Sequence, residues 1–428
     1  MISKGSMKDI TILHYTAPPV IGGVENVILA HTQLFLNNEI RPRIITGRGD
    51  AFSFPSGVEL ITIPQMDTQH SDVLLANTYL EKGRVPAVFD RLVLNLVDQL
   101  KPLLSGADHT IVHNIFSKHF NLALTSALFQ LLETGAIRNC ISWVHDITWT
   151  SPSSGNKVFA GYPWDLIRTP HPAVKSVVVS KARQIELAGL YQIPKEDIQV
   201  IYNGVDLQTT LGISLDSLDL FSKHGILEHD LLLVMPIRIT QAKNIEAAMR
   251  LVAELKRFYS HPKLVITGPP DPHNPANMDY YQDLLKLREE LALSENVKFI
   301  YESGGDHAPL TIDLDTVSDL IRLSDCVLML SHREGFGMPI LEAGLCGVPV
   351  MATPVPASQE IAQQDIRIVD FDAAPADMAQ SLLEYLDSNS TTRMKMKVKQ
   401  AYTWQAIYDD QIAPLLSIKE KRHVGRTE

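Results

Sequence analysis

The sequence predicts an α/β fold made of two doubly wound domains, each with a parallel sheet. Short β-branched runs alternate with helix-length amphipathic stretches almost from end to end, which is the pattern of parallel strands joined by crossover helices. The strand candidates are continuous apolar runs, and this indicates strands that are buried on both faces. At 428 residues the chain is also too long for one core of ordinary size.

The strand candidates form two series. The first comprises 10–15, 43–46, 58–63, 110–113, 140–145, 176–179 and 198–203, with amphipathic stretches such as 24–38, 86–101, 119–132 and 181–190 between them. The second follows "NGVDLQT" and comprises 231–236, 263–267, 297–300, 326–330, 348–352 and 366–369. We therefore place a Rossmann-like domain at 1–205 and another at 206–402. The aromatic segment that follows, 403–428, is expected to begin as a helix that packs back on the first domain.

Composition narrows the classes of function. The net charge of −11 argues against nucleic acid as the main partner, because a phosphate backbone demands a basic face, and it weakens the case for membrane association. The cysteines Cys140, Cys326 and Cys346 lack CxxC spacing, as expected for reduced thiols. No apolar run is long enough for a membrane span, and the N-terminus does not look like a signal peptide. We expect a cytoplasmic protein.

The stretch "SHREGFGMPILEAGLCGVPV" (331–350) places acids and glycines between an apolar strand and a helix. Gly335 and Gly337 allow a tight turn that a ligand can approach, and a helix N-terminus offers free N–H groups and a positive dipole end. Glu334 and Glu342 could accept hydrogen bonds from sugar or ribose hydroxyls. A plain strand–turn–helix connection with one capping acid explains the same residues, and the residues alone do not decide between the two.

Three further places follow predicted strands, where ligands bind in open parallel sheets. Arg238 and Lys243 could hold a diphosphate, or they could be surface charges. Gly22 and Gly23 form a turn before a helix, but they do not make a dinucleotide fingerprint. His145, with Asp146 beside it, could bond a sugar hydroxyl or make a local structural hydrogen bond, and His113 has the same position by topology. P-loop, HExxH and GxSxG patterns do not occur.

These pieces, in this order, resemble the GT-B glycosyltransferases, specifically the large retaining family 4. "EGFGMPILEAGLCGVPVMAT" is similar to that family's Glu-x(7)-Glu signature, and "RITQAKN" to its Arg-x(4)-Lys element. "GGVENV" resembles its N-terminal glycine loop, and "YTWQAI" the start of its returning C-terminal helix. "TPVPASQEIA" departs from the family, because it lacks the glycines often found there. The resemblance implies two Rossmann-like domains that face each other across a cleft.

The resemblance also implies roles for individual residues. Arg238 and Lys243 would hold the donor diphosphate and stabilise it as it leaves. Glu334 and the backbone N–H groups of the turn would bind the transferred sugar, and Glu342 would bind the ribose. The Gly22–Gly23 loop would close over the phosphates, and His145 would lie against the sugar. The turn comprises Gly335, Phe336, Gly337 and Met338, and the residues expected to be catalytic are Glu334, His145, Arg238 and Lys243.

The implied reaction is hexose transfer with retention, from UDP-glucose or GDP-mannose to a small soluble acceptor such as a sugar or sugar acid. A lipid or polysaccharide acceptor is an alternative, as are a nucleotide-sugar epimerase or hydrolase and a two-domain binding module. His113, Trp149, Tyr162 and Trp164 are candidate acceptor contacts, although the three aromatic residues could simply pack the domain. No cofactor is required, and Mg²⁺ is left as an alternative that the sequence does not indicate. The sequence leaves the oligomeric state open, a homo-oligomer included.

Overall fold

The structure, a computed structural model, describes residues 9–303 and 310–417. The chain divides into two compact units. Unit 1 comprises residues 9–204 and 404–417 of the described chain, and unit 2 comprises the described residues between them, 205–403. The predicted boundaries, after residues 205 and 402, each lie one residue from this division. Parts of the predicted ranges, 1–8 and 418–428, lie outside the described residues.

Unit 1 contains a seven-stranded parallel sheet with the order β3-β2-β1-β4-β5-β6-β7. All seven predicted strands are present, although the last is much shorter than its predicted run. The strands are β1 (Asp9–Thr16), β2 (Arg41–Arg48), β3 (Glu59–Thr62), β4 (His109–His113), β5 (Cys140–Val144), β6 (Val174–Val178) and β7 (Gln199–Val200).

The helices of unit 1 cover both faces of this sheet. They are α1 (Gly23–Asn37), α2 (Ser71–Leu80), α3 (Ala87–Leu104), α4 (Leu122–Glu133) and α5 (Lys181–Tyr191). Helices α2, α3 and α4 pack in one apolar cluster with Leu13 and Tyr15 of β1. Helix α1 packs in another with Ile10 and Ile12 of the same strand. The alternation along β1 therefore explains the two layers.

The C-terminal segment completes the second of these clusters. It comprises helical turns at Trp404–Ile407 and Ala413–Leu415, joined by a π-helical turn at Tyr408–Ile412. Its buried apolar side chains pack in the same cluster as α1 and β1; they are Ile407, Tyr408, Ile412, Ala413, Leu415 and Leu416.

Unit 2 contains a six-stranded parallel sheet with the order β10-β9-β8-β11-β12-β13. Its strands are β8 (Leu231–Met235), β9 (Pro262–Ile266), β10 (Val297–Phe299), β11 (Cys326–Met329), β12 (Val350–Ala352) and β13 (Arg367–Ile368). Its helices are α6 (Leu207–Leu211), α7 (Leu215–Lys223), α8 (Ile245–Leu255), α9 (Ala276–Glu290), α10 (Leu314–Leu323), α11 (Met338–Leu345), α12 (Pro356–Ala362), α13 (Pro375–Ser388) and α14 (Ser390–Ala401). The predicted class, two doubly wound parallel-sheet domains, is confirmed.

Strand order reverses once in each sheet. In unit 1, strands β1 to β3 extend the sheet in one direction and strands β4 to β7 extend it in the other, and β1 and β4 are neighbours. In unit 2 the neighbours β8 and β11 play the same part. In open parallel sheets, the loops that leave such a pair at their carboxyl ends diverge and form a crevice for ligands.

The chain leaves unit 1 and returns to it at adjacent points. Val205 and Thr403 form an isolated parallel bridge, and Val205 N–H donates to the carbonyl of Tyr402 at 2.8 Å. Gly204 packs so closely on Trp404 that a Cβ atom would lie 2.6 Å from the indole ring. Unit 2 is thus an insertion in the chain of unit 1, with its two ends side by side.

Helix α14 carries a basic run at 393–399, and two of the lysines in this run make contacts inside unit 2. Lys399 lies 2.7 Å from the carboxylate of Asp325 with both side chains buried. Lys395 donates to the carbonyls of Arg322 and Ser324, and its burial lowers its pKa to about 8. These contacts hold α14 against the C-terminal end of α10, where the last backbone carbonyls of a helix have no hydrogen-bond partner within the helix.

The helices of the described part of the chain bear on whether it crosses a membrane. None of its helices has both the length and the apolar character that crossing a bilayer requires.

Candidate active site

The carboxyl edge of the unit 2 sheet brings together two of the predicted residues. Lys243 Nζ lies 2.7 Å from Glu334 Oε1, although the two are 91 residues apart in the chain. Ser331 Oγ donates to the same oxygen at 2.5 Å. The Glu334 side chain is only 8% exposed and that of Lys243 20%. A carboxylate held this way is oriented before any ligand arrives.

The loops after β8 and β11 meet because their backbones are tied. The loop after β8 ends in a 3₁₀ turn at Gln241–Lys243, and Asn244 then adopts a left-handed conformation (φ 51°) before α8 begins. The backbone N–H of His332 donates to the carbonyl of Ala242 at 2.8 Å. Since β8 and β11 are neighbours, this bond holds Lys243 above the start of the 331–338 turn.

Arg238 is placed by a second pair of loops. The N–H of Ile239 donates to the carbonyl of Pro269 at 2.9 Å, and Gly268 donates to Ile237 at 3.0 Å. A Cβ atom on Gly268 would lie 2.5 Å from the Ile237 oxygen, so only glycine permits this approach. The Arg238 side chain is 59% exposed, and its nearest acid, Asp271, is 3.8 Å away. Its guanidinium is therefore available to an anion.

The turn at 335–338 has the geometry that the glycines predicted. Gly337 has φ 88°, which disfavours any other residue, and it precedes the first residue of α11. A Cβ atom on Gly335 would meet nothing within 4 Å, so this side of the turn is open. The backbone N–H groups of Gly335, Phe336 and Met338 donate to no other described residue. They are free to bind oxygen atoms of a ligand.

Next to this turn lies an open cavity of about 340 Å³. Glu334, Gly335 and Phe336 line one side of it, and Pro356 and Glu360 line the other. Glu342 lies one turn into α11 and is half-buried. The cavity combines backbone donors, carboxylates and an aromatic face, which is the kind of lining that binds the hydroxyls and apolar face of a sugar.

The carboxyl edge of unit 1 carries the other predicted glycines. Gly22 is in extended backbone (φ −166°), but a Cβ atom there would lie 2.1 Å from the Glu25 carboxylate. Thr16 Oγ1 donates to that carboxylate at 2.5 Å and so holds it over Gly22. Around Gly23, by contrast, nothing lies within 4 Å of a Cβ position. Gly22 is thus required by packing inside unit 1, whereas Gly23 leaves space.

His145 follows β5 and is fixed from two directions. Its backbone N–H and that of Asp146 both donate to Asn114 Oδ1, at 2.8 and 3.2 Å, and Asn114 has a left-handed backbone (φ 59°). Its ring Nε2 lies 3.0 Å from Nδ1 of His113. Burial, followed by repulsion from His14, lowers the pKa of His145 to about 3. The half-buried ring is therefore neutral at pH 7.

The four candidate acceptor contacts fall into two groups. His113 is fully buried and Trp164 is 4% exposed, with Trp164 packed edge-on against Phe159 in the unit 1 core. Contact with an acceptor does not fit these positions, because neither ring reaches the surface. Trp149 is half-buried under the guanidinium of Arg168, and Tyr162 is 53% exposed. These two remain candidates.

The sequence did not single out several residues that build the site. They are Ser331, which bonds Glu334; Gly268, which lets two loops meet; Asn114, which holds the His145 loop; and Glu25, which occupies the space over Gly22. A positive φ is common for asparagine, but nothing in the sequence around residue 114 marks it. Among the described residues, no group of three or more His, Cys, Asp or Glu side chains could hold a metal ion.

Two protein-family models match the chain. The model of glycosyltransferase family 4 matches residues 21–209, which are mostly unit 1. The model of glycosyl transferases group 1 matches residues 216–403, which lie in unit 2. Together they include every strand of the two sheets except β1, and all of the site residues that the sequence predicted.

Curated relatives are similar at low identity. N-acetyl-alpha-D-glucosaminyl L-malate synthase of Bacillus anthracis is 26% identical over 40% of this chain and 39% of that enzyme. D-inositol 3-phosphate glycosyltransferase of Mycolicibacterium gilvum is 28% identical over 44% of this chain and 41% of that enzyme. The chain thus spans less than half the length of these two relatives. Mannosylglucosylglycerate synthase of Petrotoga mobilis is 22% identical over 85% of this chain and 86% of its own.

Solved structures were also compared with the whole chain. Anabaena HepE in complex with UDP-glucose aligns over 96% of this chain and 99% of its own, at 19% identity and a TM-score of 0.34. A glycosyltransferase from Rickettsia africae aligns over 97% and 100%, at 16% identity and a TM-score of 0.36. At these scores the comparison adds nothing to the fold described above.

Proposed function

We propose that this chain, which belongs to the group 1 glycosyltransferases of family 4, transfers a hexose with retention from a nucleoside-diphosphate sugar to a hydroxyl of a small acceptor. The observation that carries the proposal is the Lys243–Glu334 pair of 2.7 Å at the carboxyl edge of unit 2. It combines a cation for a leaving diphosphate with an oriented carboxylate for sugar hydroxyls, and it lies beside a turn with free N–H groups.

The chemistry needs little more than positioning and electrostatics. The bond between the sugar C1 and the diphosphate oxygen breaks, and the acceptor oxygen bonds C1 on the same face. The acceptor proton passes to the departing phosphate oxygen. Arg238 and Lys243 stabilise the negative charge that grows on the diphosphate, and Glu334 holds the sugar while C1 becomes positive. No protein nucleophile is required.

The donor is UDP-glucose or GDP-mannose. Two of the relatives are named for small acidic acceptors, malate and inositol 3-phosphate, and a third for a product that contains glycerate. These names support a sugar acid or another small anion as the acceptor. Lys118, which lies over the Phe120 ring near the His145 loop, offers a half-buried cation for such an anion.

Calorimetry with UDP, GDP and ADP tests the diphosphate site directly. We expect one of the three to bind tightly to the wild type and 10 to about 100 times more weakly to Arg238→Ala, since charge-assisted hydrogen bonds contribute about 1.5–3 kcal/mol. Arg257→Ala is the matched control, because Arg257 is an exposed cation just after α8, and its ion pair is with Glu254, three residues before it. Equal losses in both variants, or no binding at all, would refute the proposed site.

Product analysis separates transfer from its alternatives. The preferred donor is incubated alone and then with glycerate, malate and glucose, and the products are identified by mass spectrometry and NMR. A new α-glycoside that forms only with an acceptor supports transfer. Free sugar or an epimerised donor, formed at the same rate without acceptor, would instead make the chain a hydrolase or an epimerase.

A further inference from the structure

Three aromatic rings lie beneath His145 in unit 1. His113 and Trp143 are register partners on β4 and β5, with ring centroids 5.8 Å apart. His31 reaches them from α1, 4.7 Å from the indole ring and 5.6 Å from the His113 ring. The ring of His145, just after β5, stacks on that of His113 with centroids 5.3 Å apart, so it contacts the same group.

Four ring nitrogens of this group are buried without a hydrogen-bond partner among the described residues. They are Nδ1 and Nε2 of His31, Nε2 of His113 and Nε1 of Trp143. An unpaired buried polar atom costs about 1–3 kcal/mol, and native proteins satisfy nearly all such atoms, frequently through an internal water. Which of these nitrogens carries a hydrogen is therefore constrained by the numbers of donors and acceptors in the group.

All three imidazoles are neutral at pH 7. Burial lowers the pKa of His31 to about 3, with repulsion from His145 as a smaller cause. Burial also lowers the pKa of His113 well below 6.5, and the pKa of His145 is about 3. Each ring thus carries one N–H and one bare nitrogen.

Counting donors and acceptors then distinguishes the two tautomers of His113. Trp143 is always a donor, and neutral His31 supplies one donor and one acceptor. If Nε2 of His113 is bare, the group has two donors and two acceptors. If Nε2 carries the hydrogen, the group has three donors and one acceptor. An internal water brings two donors and two acceptors, so it does not remove this imbalance.

We propose that Trp143, acting through His113, is a positioning residue that holds His145 in the tautomer with its hydrogen on Nδ1. With Nε2 bare, His113 carries its hydrogen on Nδ1 and donates it to Nε2 of His145 across the 3.0 Å contact. The hydrogen of His145 is then on Nδ1, the nitrogen that no described residue engages.

This assignment changes what His145 can do, a consequence that rests on the function proposed above. A ring with Nδ1–H donates a hydrogen bond to a sugar or acceptor oxygen, and it cannot take a proton through that atom. The acceptor proton must leave by another route, which agrees with its transfer to the departing phosphate.

Nitrogen NMR measures the tautomer without any assay of activity. The full-length protein is labelled with ¹⁵N-histidine, and two-bond ¹H–¹⁵N correlations are recorded at pH 7, with His145 assigned from the spectrum of His145→Asn. We expect Nδ1 of His145 to be protonated and Nε2 bare. The reverse pattern in the wild type would overturn the proposal, whatever the donor or acceptor of the enzyme proves to be.

Two substitutions in the cluster identify the cause. Trp143→Phe removes the obligate donor and leaves the two tautomers equally unbalanced, so the minor tautomer of His145 should rise several-fold. His31→Phe is the matched control, because it removes one donor and one acceptor and leaves the preference intact. Equal shifts in both variants, or no shift in Trp143→Phe, would overturn the role of Trp143. If Trp143→Phe does not fold, the wild-type spectrum still decides the tautomer.

Measurements of activity test the role of His145 separately from the proposed function of the chain. His145→Asn keeps an N–H donor in the side chain, whereas His145→Asp replaces it with an acceptor. We expect the kcat of His145→Asn to be at least ten times the kcat of His145→Asp. Loss of both to the same level would show that His145 does not act as a donor, even if the NMR result stands. Absence of any transfer by the wild type would instead count against the proposed function alone.

Discussion

The carboxyl edges of the two sheets have the same topology and opposite chemistry. In unit 2 the edge between β8 and β11 carries ions: Arg238 is exposed and Lys243 is paired with Glu334. In unit 1 the edge between β1 and β4 carries neutral rings, and burial keeps the pKa of His31 and His113 far below 6.5. The same topology therefore supports two kinds of site: the charged residues of unit 2 follow its strands, whereas the neutral rings of unit 1 belong to β4 and α1.

The difference has a physical logic. A diphosphate brings two or more negative charges, so its site needs cations that are fixed in advance. Rings that remain neutral can orient hydroxyls without competing for that charge. If this division is correct, substitutions at the charged edge should affect chemistry and anion binding, and changes at the neutral edge should affect pH dependence and packing.

The largest effect is expected at the charged edge, in Glu334→Gln. The amide keeps the shape of the side chain but loses the charge that opposes the developing positive C1, so kcat should fall by about 10²–10³, the range found when one preorganised electrostatic group is removed. Steady-state kinetics with the preferred donor measures this. Glu384→Gln, an exposed carboxylate on α13, is the control. A loss below threefold in Glu334→Gln would remove it from the catalytic set.

The second effect is expected at the neutral edge, on acidification. In the unfolded chain His31 and His113 titrate near 6.5, and in the folded chain their pKa values are depressed, so below pH 6.5 the unfolded state binds more protons. Stability is then fully present above that pH and is lost as the pH falls. His31, with a folded pKa of about 3, contributes a loss of about 2 kcal/mol between pH 7 and pH 5, and His113 adds to that loss.

Urea unfolding at the two pH values tests this, because all four tryptophans lie in unit 1 and report on it alone. Hydrogen exchange followed by mass spectrometry reports on unit 2, where burial lowers the pKa of His229 to about 4. We expect unit 1 to lose more stability than unit 2 between pH 7 and pH 5. Unit 1 of His31→Phe should lose less than unit 1 of the wild type. Equal acid sensitivity of the two units would contradict the comparison.

The third effect returns to the charged edge. Lys243→Met removes the cation and leaves the Glu334 carboxylate, 8% exposed, with only Ser331 as a partner. Diphosphate affinity should fall about 10- to 100-fold, and the melting temperature should also fall. Calorimetry and thermal unfolding measure the two effects, with Lys256→Met as the control, because Lys256 is an exposed lysine at the C-terminal cap of α8. Unchanged affinity would place the diphosphate elsewhere.

The smallest effect distinguishes the two neighbouring glycines of unit 1. Gly22→Ala should displace Glu25 and break its bond to Thr16, with a loss of about 1–2 kcal/mol. Gly23→Ala meets no atom and should be neutral or slightly stabilising, since alanine is the better helix former by up to about 1 kcal/mol. Denaturant unfolding followed by tryptophan fluorescence compares them. Equal losses would show that the Glu25 contact does not matter.

The sequence was sufficient to predict the strands, because fully buried strands are continuous apolar runs. It did not predict α2, and the reason is visible in the structure. Leu74, Leu75 and Tyr79 are each more than 40% exposed, so the apolar residues of this helix surround it instead of forming one stripe. Periodicity detects a helix only when burial is confined to one face.

The site was predictable where a local pattern carries it. The turn at Gly337 needs a positive φ, and a glycine in the sequence is a recognisable sign of such a position. The pairing of Lys243 with Glu334 depends on which strands become neighbours, and a sequence read along its length does not contain that. The same holds for His113, whose position after a strand suggested a ligand contact, whereas the register with Trp143 buries it.

The insertion of unit 2 into unit 1 fixes an order of events during synthesis. A ribosome completes residues 205–403 before it makes Ile407, Tyr408 and Ile412, which belong to the core of unit 1. Unit 2 can therefore finish its core as one continuous piece, while the part of the unit 1 sheet that the C-terminal segment later covers is still exposed. Since the ends of the insertion are adjacent, a short splice of 204 to 404 should yield unit 1 by itself, and 205–403 should be separable as a second, independently folding protein.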